Sequence, residues 1–132
     1  NDVADKVSTQ QGKALVIMKA MLEAGEKFDV VILDPPAFIK RRKDQRAGEA
    51  AYRHINELGM RLLGRDGLLV AASCSMHLAQ ETLEDIIRGA GRHLERHVQI
   101  IAQGGQGPDH PVHPAIEETR YLKSLLARVY IP

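Results

Sequence analysis

Apolar positions recur at helical spacing early in the chain. In KALVIMKAMLEAG, residues 13–25, Leu15, Met18, Met21 and Leu22 share one face and Gly25 follows as a terminator, which predicts a helix. FDVVILDPP then places Val30 to Leu33 in an unbroken, β-branched apolar run closed by an aspartate and two prolines, the pattern of a parallel strand buried on both faces. A second helix is predicted from about Asp44, as N-cap, to Leu63, with Ala47, Ala51, Ile55, Leu58 and Leu62 at spacings of three and four. GRDG reads as a turn into a second buried strand, GLLVAASC. A third helix follows from about Ala79 to Leu94, carried by Leu83, Ile86, Ile87, Ala90 and Leu94. HVQIIAQ and YLKSLLARVYI then read as strands on either side of the loop GGQGPDHPVHP. Helices alternating with buried strands imply an α/β fold with a mostly parallel sheet covered by helices on both faces. Ligands of such a sheet sit beyond the carboxyl ends of its strands, where DPP and SCS fall.

Composition narrows the class. A chain of 132 residues with 44% apolar and 27% charged residues has the material for one domain with a real core. It opens on Asn1 with no targeting pattern, so a piece of a longer protein is expected. No apolar run approaches the roughly 20 residues that span a bilayer, and one cysteine forms no internal disulfide, so a cytoplasmic protein without a membrane partner is expected. A net charge of +1 gives no global signature of nucleic-acid binding, and the absence of Trp argues against a broad base-stacking platform. An enzyme is the better expectation, with local charge carrying any RNA contact.

Two motifs carry the chemistry. Asp34-Pro35-Pro36-Ala37-Phe38 leaves the first strand with a carboxylate and a proline-stiffened backbone. Asp34 can accept from the exocyclic amine of a flipped base, while Pro35, Pro36 and Phe38 shape the pocket. The other reading is a strand-ending aspartate whose prolines merely stop the sheet. Ser73-Cys74-Ser75 ends the next strand and so is expected beside the first motif. A free thiol, with its pKa of about 8.5, is the best nucleophile among side chains, although most lone cysteines are only small buried hydrophobes. The basic run Lys40-Arg41-Arg42-Lys43, with Arg46 beyond, follows the presumed pocket closely enough to hold RNA phosphates, or is simply a solvated loop. His110 and His113 lie in a proline-broken DHPVH segment without zinc-ligand spacing, so no metal is expected.

Taken together, FDVVILDPPAF, GLLVAASCSMH and GPDHPVHPAIEETRYLK resemble the bacterial large-subunit rRNA cytosine-5 methyltransferases of the RlmI type, over nearly the whole chain. The resemblance implies the C-terminal part of a Rossmann-like class I methyltransferase domain with an antiparallel last strand. Its first strands and glycine-rich cofactor loop would lie upstream. S-adenosylmethionine is the implied cofactor and 23S rRNA the implied partner. Cys74 is then the nucleophile and Asp34 its catalytic partner, Ser73, Ser75 and His110 are substrate contacts, and Asp109 or His110 orients substrate or removes a proton. Asp34 and Pro35 also border the cofactor. Where the family has an acidic residue near the adenine, this chain reads Gln11-Gly12-Lys13-Ala14, leaving Lys13 as the cofactor candidate, although a cation accepts no hydrogen bond from the adenine amine.

Two rivals stand beside this reading. One keeps DPP but methylates an exocyclic amine or purine nitrogen without a covalent adduct. The other is a non-catalytic RNA-binding or assembly module on the same fold. A missing neighbour for Val30 to Leu33 would also leave an apolar edge open to homodimer formation.

Overall fold

The computed structural model describes residues 2–132. A short 3-10 turn at Ala4–Lys6 precedes helix α1, Ala14–Glu23. This helix ends as its glycine dictates. Gly25 sits at φ 75°, the Glu26 N–H donates to Met21 O and the Gly25 N–H to Leu22 O, both at 3.0 Å, so a left-handed residue satisfies the final carbonyls. Strand β1, Phe28–Leu33, helix α2, Gln45–Leu62, strand β2, Leu63–Ser73, and helix α3, Gln80–His93, follow. Strands β3, His97–Gly104, and β4, Lys123–Tyr130, complete the order, with 3-10 turns at Arg42–Asp44 and Glu117–Thr119.

The four strands form one open sheet in the order β1-β2-β4-β3. β1 and β2 are parallel, and β4 runs antiparallel to both β2 and β3, so three strands point one way and the last returns between two of them. This is the expected α/β class with its antiparallel last strand. Residues Val31 and Leu33 of β1, Leu69 and Ala71 of β2, and Leu125 and Val129 of β4 share the face that α2 and α3 cover, and they join the helices in one apolar core. α1 packs on α2 at the side of that core through Met18.

Among the described residues the opposite face carries no helix, which changes the picture of β1. Its run was expected to be buried on both faces, but Val30 is 48% and Ile32 68% exposed while Leu33 is buried. A continuous apolar run specifies two apolar faces; burial needs a partner for each, and α2 supplies only one.

GRDG is also not a turn. It lies inside β2, where Asp66 and Gly67 pair with Tyr130 and Val129, and the register to β1 jumps from Phe28↔Leu63 to Val30↔Leu68. Long-range donors hold this irregular stretch. The Arg96 guanidinium donates to Gly64 O at 2.9 Å and the Ile131 N–H to Arg65 O at 2.8 Å, so turn-forming residues are kept extended by partners local sequence does not reveal.

Helix α2 buries Ile55, Leu58 and Leu62 as its spacing predicts, yet Ala47 is exposed, and a second buried stripe runs through Gly48, Tyr52 and Asn56. Asp44 immediately precedes the helix but does not cap it. Its backbone lies at φ −90° and ψ 1° in the 3-10 turn, and its carboxylate accepts from Arg41 Nε at 3.0 Å. A capping side chain needs an extended residue at that position. No described helix is long and apolar enough to cross a membrane.

Candidate active site

Parallel pairing brings the two motifs together. Leu33 at the end of β1 aligns with Ala71, so the exits of β1 and β2 lie at the same edge of the sheet. Beyond β1, Asp34 is exposed, Pro35 buried, Pro36 exposed and Phe38 half-buried. Phe38 rests on the Tyr52 ring of α2 with centroids 4.8 Å apart and planes at 59°. α2 approaches closely because Gly48 has no side chain: a Cβ there would stand 2.2 Å from Ile39 Cγ1 and 3.1 Å from Phe38 O. Cys74 is half-buried, and its thiol lies 4.0 Å from Pro35 O, a weak S–H contact joining DPP to SCS.

The serines flanking Cys74 point the other way. Ser73 and Ser75 are 0% and 1% exposed, and Tyr52 is fully buried between them. Ser73 donates to Tyr52 Oη at 2.8 Å, Tyr52 Oη and Ser75 Oγ share a bond of 2.8 Å, and the Ile39 N–H donates to Ser75 Oγ at 3.2 Å. The Ser75 N–H closes the group on Ser73 Oγ at 3.1 Å. Substrate contact was expected of both hydroxyls; both are instead spent inside the protein, where they fasten the DPPAF loop to the SCS loop through α2. Each such bond contributes about 1 kcal/mol net, and a partner stranded in the interior costs about 1–3 kcal/mol.

Lys123 is a site residue with no signature in the sequence. It begins β4 opposite Ser73, and its Nζ donates to Ser75 O at 2.5 Å. Burial pushes its ammonium below the usual lysine value, and the negative charge available to Cys74 opposes that shift. Only the pairing of β2 with β4 reveals this neighbour, because the two residues lie far apart in the chain.

The remaining candidates divide between two concavities. A groove of about 980 Å³ between α1 and β1 is lined by Lys13, Asp34, Pro35, Pro36 and Phe38 among mostly apolar neighbours. Lys13 itself is exposed at the N-cap position of α1. A second cleft of about 960 Å³ opens beyond Ser75, between Met76, His77, Arg42 and the 112–120 loop. Lys40, Arg41 and Arg42 are all exposed; Arg41 is tied to Asp44, while Arg42 lines the cleft. His110 is exposed and pairs with Asp109 through Nδ1 and Oδ2 at 3.2 Å, and it is His113 that lines the cleft.

Known proteins with this segment are methyltransferases by name. The chain is 35% identical over 124 residues, 94% of its length, to ribosomal RNA large subunit methyltransferase I of Erwinia tasmaniensis, and covers 31% of that protein. It is 32% identical over 126 residues to the protein of the same name from Shewanella frigidimarina, covering 96% of this chain and 32% of the relative. Among solved structures, SMU.776, described as a methyltransferase complexed with SAH, superposes with a TM-score of 0.73 at 17% identity, covering 95% of this chain and 33% of that one. A methyltransferase homologue from Pyrococcus horikoshii gives a TM-score of 0.58 at 20% identity, covering 82% of this chain and 41% of that one. These likenesses establish the fold. No family model matches the chain. The chain thus spans about a third of the curated relatives it resembles.

Proposed function

Because this chain is a relative of the large-subunit ribosomal RNA methyltransferases over nearly its whole length, we propose that it carries the substrate side of an S-adenosylmethionine-dependent enzyme methylating carbon-5 of a cytosine in that RNA, through a Cys74 adduct. By the proportions of its relatives, we read it as the C-terminal portion of one catalytic domain. The observation that carries the chemistry is the meeting of Cys74 with the DPP loop, its thiol 4.0 Å from Pro35 O.

When bound, S-adenosylmethionine would supply the methyl group and leave as the thioether S-adenosylhomocysteine. The groove between α1 and β1 would suit such a molecule: apolar walls for its adenine and aliphatic chain and Lys13 for a carboxylate or ribose oxygen, with Asp34 at the border shared with the base pocket. Pro35 borders the same groove.

On the substrate, Cys74 as thiolate adds to carbon-6, forming a carbon–sulfur bond and driving the ring electrons to carbon-5, where they take up the methyl. Asp34 accepts from the exocyclic amine and so orients the ring for attack, while Pro36 and Phe38 wall the base pocket. A base then removes the carbon-5 proton. The electron pair released restores the ring double bond, the carbon–sulfur bond breaks, and the thiolate returns. In this reading Asp109 or His110, which pair at 3.2 Å on the exposed loop, removes that proton. Lys40 and Arg42 hold RNA phosphates, a salt-dependent contribution.

Trapping tests the reading. The full-length protein containing this chain should form a denaturation-resistant complex with 5-fluorocytosine RNA, and Cys74→Ala should abolish it. A complex surviving that substitution would favour methylation at a nitrogen instead.

The free edge of β1 carries the partner side of the proposal. Phe28, Val30 and Ile32 are 37%, 48% and 68% exposed, so isolated chains self-associate there through an unpaired strand.

A further inference from the structure

The cleft beyond Cys74 has a chemistry of its own. Three of the molecule's exposed large apolar side chains, Met76, Val112 and Ile116, line it together. Arg42 and Arg120 also line it, and neither joins an ion pair among the described residues. Arg120 stays unpaired although Glu117 and Glu118 border the same cleft. Cations, anions and apolar side chains therefore line one cleft.

The far wall has little regular structure but is tied by local hydrogen bonds. The His113 N–H donates to Thr119 Oγ1 at 2.8 Å, and that hydroxyl donates in turn to Ile116 O at 2.7 Å. The Ala115 N–H donates to His113 Nδ1 at 3.2 Å, which leaves the imidazole proton on Nε2 as a fixed donor. On the near wall His77 follows Cys74 by three positions, so the cleft starts where the nucleophile's loop ends.

We infer that this cleft is a second nucleotide subsite, which takes the nucleotide of single-stranded RNA adjoining the one whose base enters beside Cys74. The inference rests on the reading of Cys74 as the reacting centre. Arg42 and Arg120 take the linking phosphate, as paired guanidinium groups do. The base lies on Met76, Val112 and Ile116, and Glu117 or Glu118 accepts from its amine or from a ribose hydroxyl. A single-stranded loop can splay two neighbouring bases into separate pockets in this way, whereas a duplex holds them stacked. An acidic peptide would satisfy the arginines but has no planar base to cover Met76, Val112 and Ile116.

The test uses the full-length protein containing this chain and a fluorescein-labelled eight-nucleotide single-stranded RNA. Adding RNA should move the NMR signals of His77, His113 and the Met76 methyl. Arg42→Ala with Arg120→Ala should weaken binding about tenfold and flatten the dependence of log K on log salt by about 0.7, for the one linking phosphate no longer neutralised. Lysine at both positions should keep the salt slope. DNA of the same sequence should bind more weakly, and polyglutamate should leave the signals in place. Cleft signals that move while the protein fails to trap 5-fluorocytosine RNA would leave the subsite standing without the covalent chemistry, which separates the two failures. Unmoved cleft signals, RNA binding indifferent to both arginines, or an equal response to polyglutamate would overturn the inference. Circular dichroism of the double variant, altered only at exposed side chains, verifies its fold.

Discussion

Cys74 and Pro35 meet across the ends of two parallel strands, thiol to carbonyl at 4.0 Å. Neither residue is held there by its own strand alone. The contact depends on Tyr52, which reaches from α2 to both serines around the cysteine while its ring supports Phe38.

Tyr52→Phe should therefore destabilise the fold while leaving its shape intact. Removing one hydroxyl deprives Ser73 of its acceptor and Ser75 of a partner in a buried group, a loss of about 1–3 kcal/mol. Urea unfolding followed by circular dichroism measures it. A variant as stable as the parent chain would mean that water replaces the hydroxyl.

Gly48→Ala probes the same junction from the helix side. The added methyl would meet Ile39 Cγ1 at 2.2 Å, so Ile39 and the DPPAF loop must move, at a cost of about 1–3 kcal/mol. Alkylation of the chain's single cysteine should also change rate as the loop shifts. Unaltered stability and alkylation together would show that Ile39 finds another rotamer without strain.

Lys123 gives a pH signature. Its folded pKa is lowered chiefly by burial, so between that value and 10.5 the unfolded chain binds the proton that the folded chain has lost. Its contribution to stability is least favourable below the folded pKa and improves as pH rises toward 10.5. Lys123→Met removes this component. The denaturant midpoint of the parent should rise relative to that of the variant as pH rises across the alkaline range; a constant difference would contradict the lowered value.

Ile32→Lys should make the chain monomeric. Light scattering over a concentration series should show association by the parent chain and none by the variant, since a charge on an open strand edge opposes pairing. A monomeric parent at the highest concentration would remove the edge as a contact.

The isolated chain should not transfer methyl groups. Its groove beside Asp34 is bounded by α1 and β1 and remains open along the free strand edge. A radiolabelled-methyl assay giving turnover by this chain would disprove the expectation.

Much of the fold was legible because its signals are local. The spacing of Leu83, Ile86, Ile87 and Ala90 marks α3, and Gly25 marks the end of α1 through its backbone freedom. Strand-end placement likewise brings the Asp34 loop near Cys74 once β1 and β2 pair in parallel. What escaped depends on partners distant in the chain. GRDG has turn chemistry, yet pairing with β4 and the Arg96 guanidinium keep it extended. Ser73 and Ser75 look available to a ligand until Tyr52 is placed between them, and Tyr52, a polar residue in an apolar stripe, is not part of the periodicity that identifies α2. Lys123 has no local motif at all. The exposure of Ile32 was hidden for another reason: an apolar run states what a strand can bury and is silent about what arrives to bury it.

The place of β4 in the sheet also orders events during synthesis. β2 and β3 share no direct ladder; each bonds to β4, which is made after both. On the ribosome β1 and β2 can pair early, but β3 must wait, its inner edge unsatisfied, until the following strand emerges and slides between them. The nascent chain therefore passes through a stage with two strand edges facing an empty slot, and a delay in translating residues 123–130 would prolong the time in which a foreign strand could fill it.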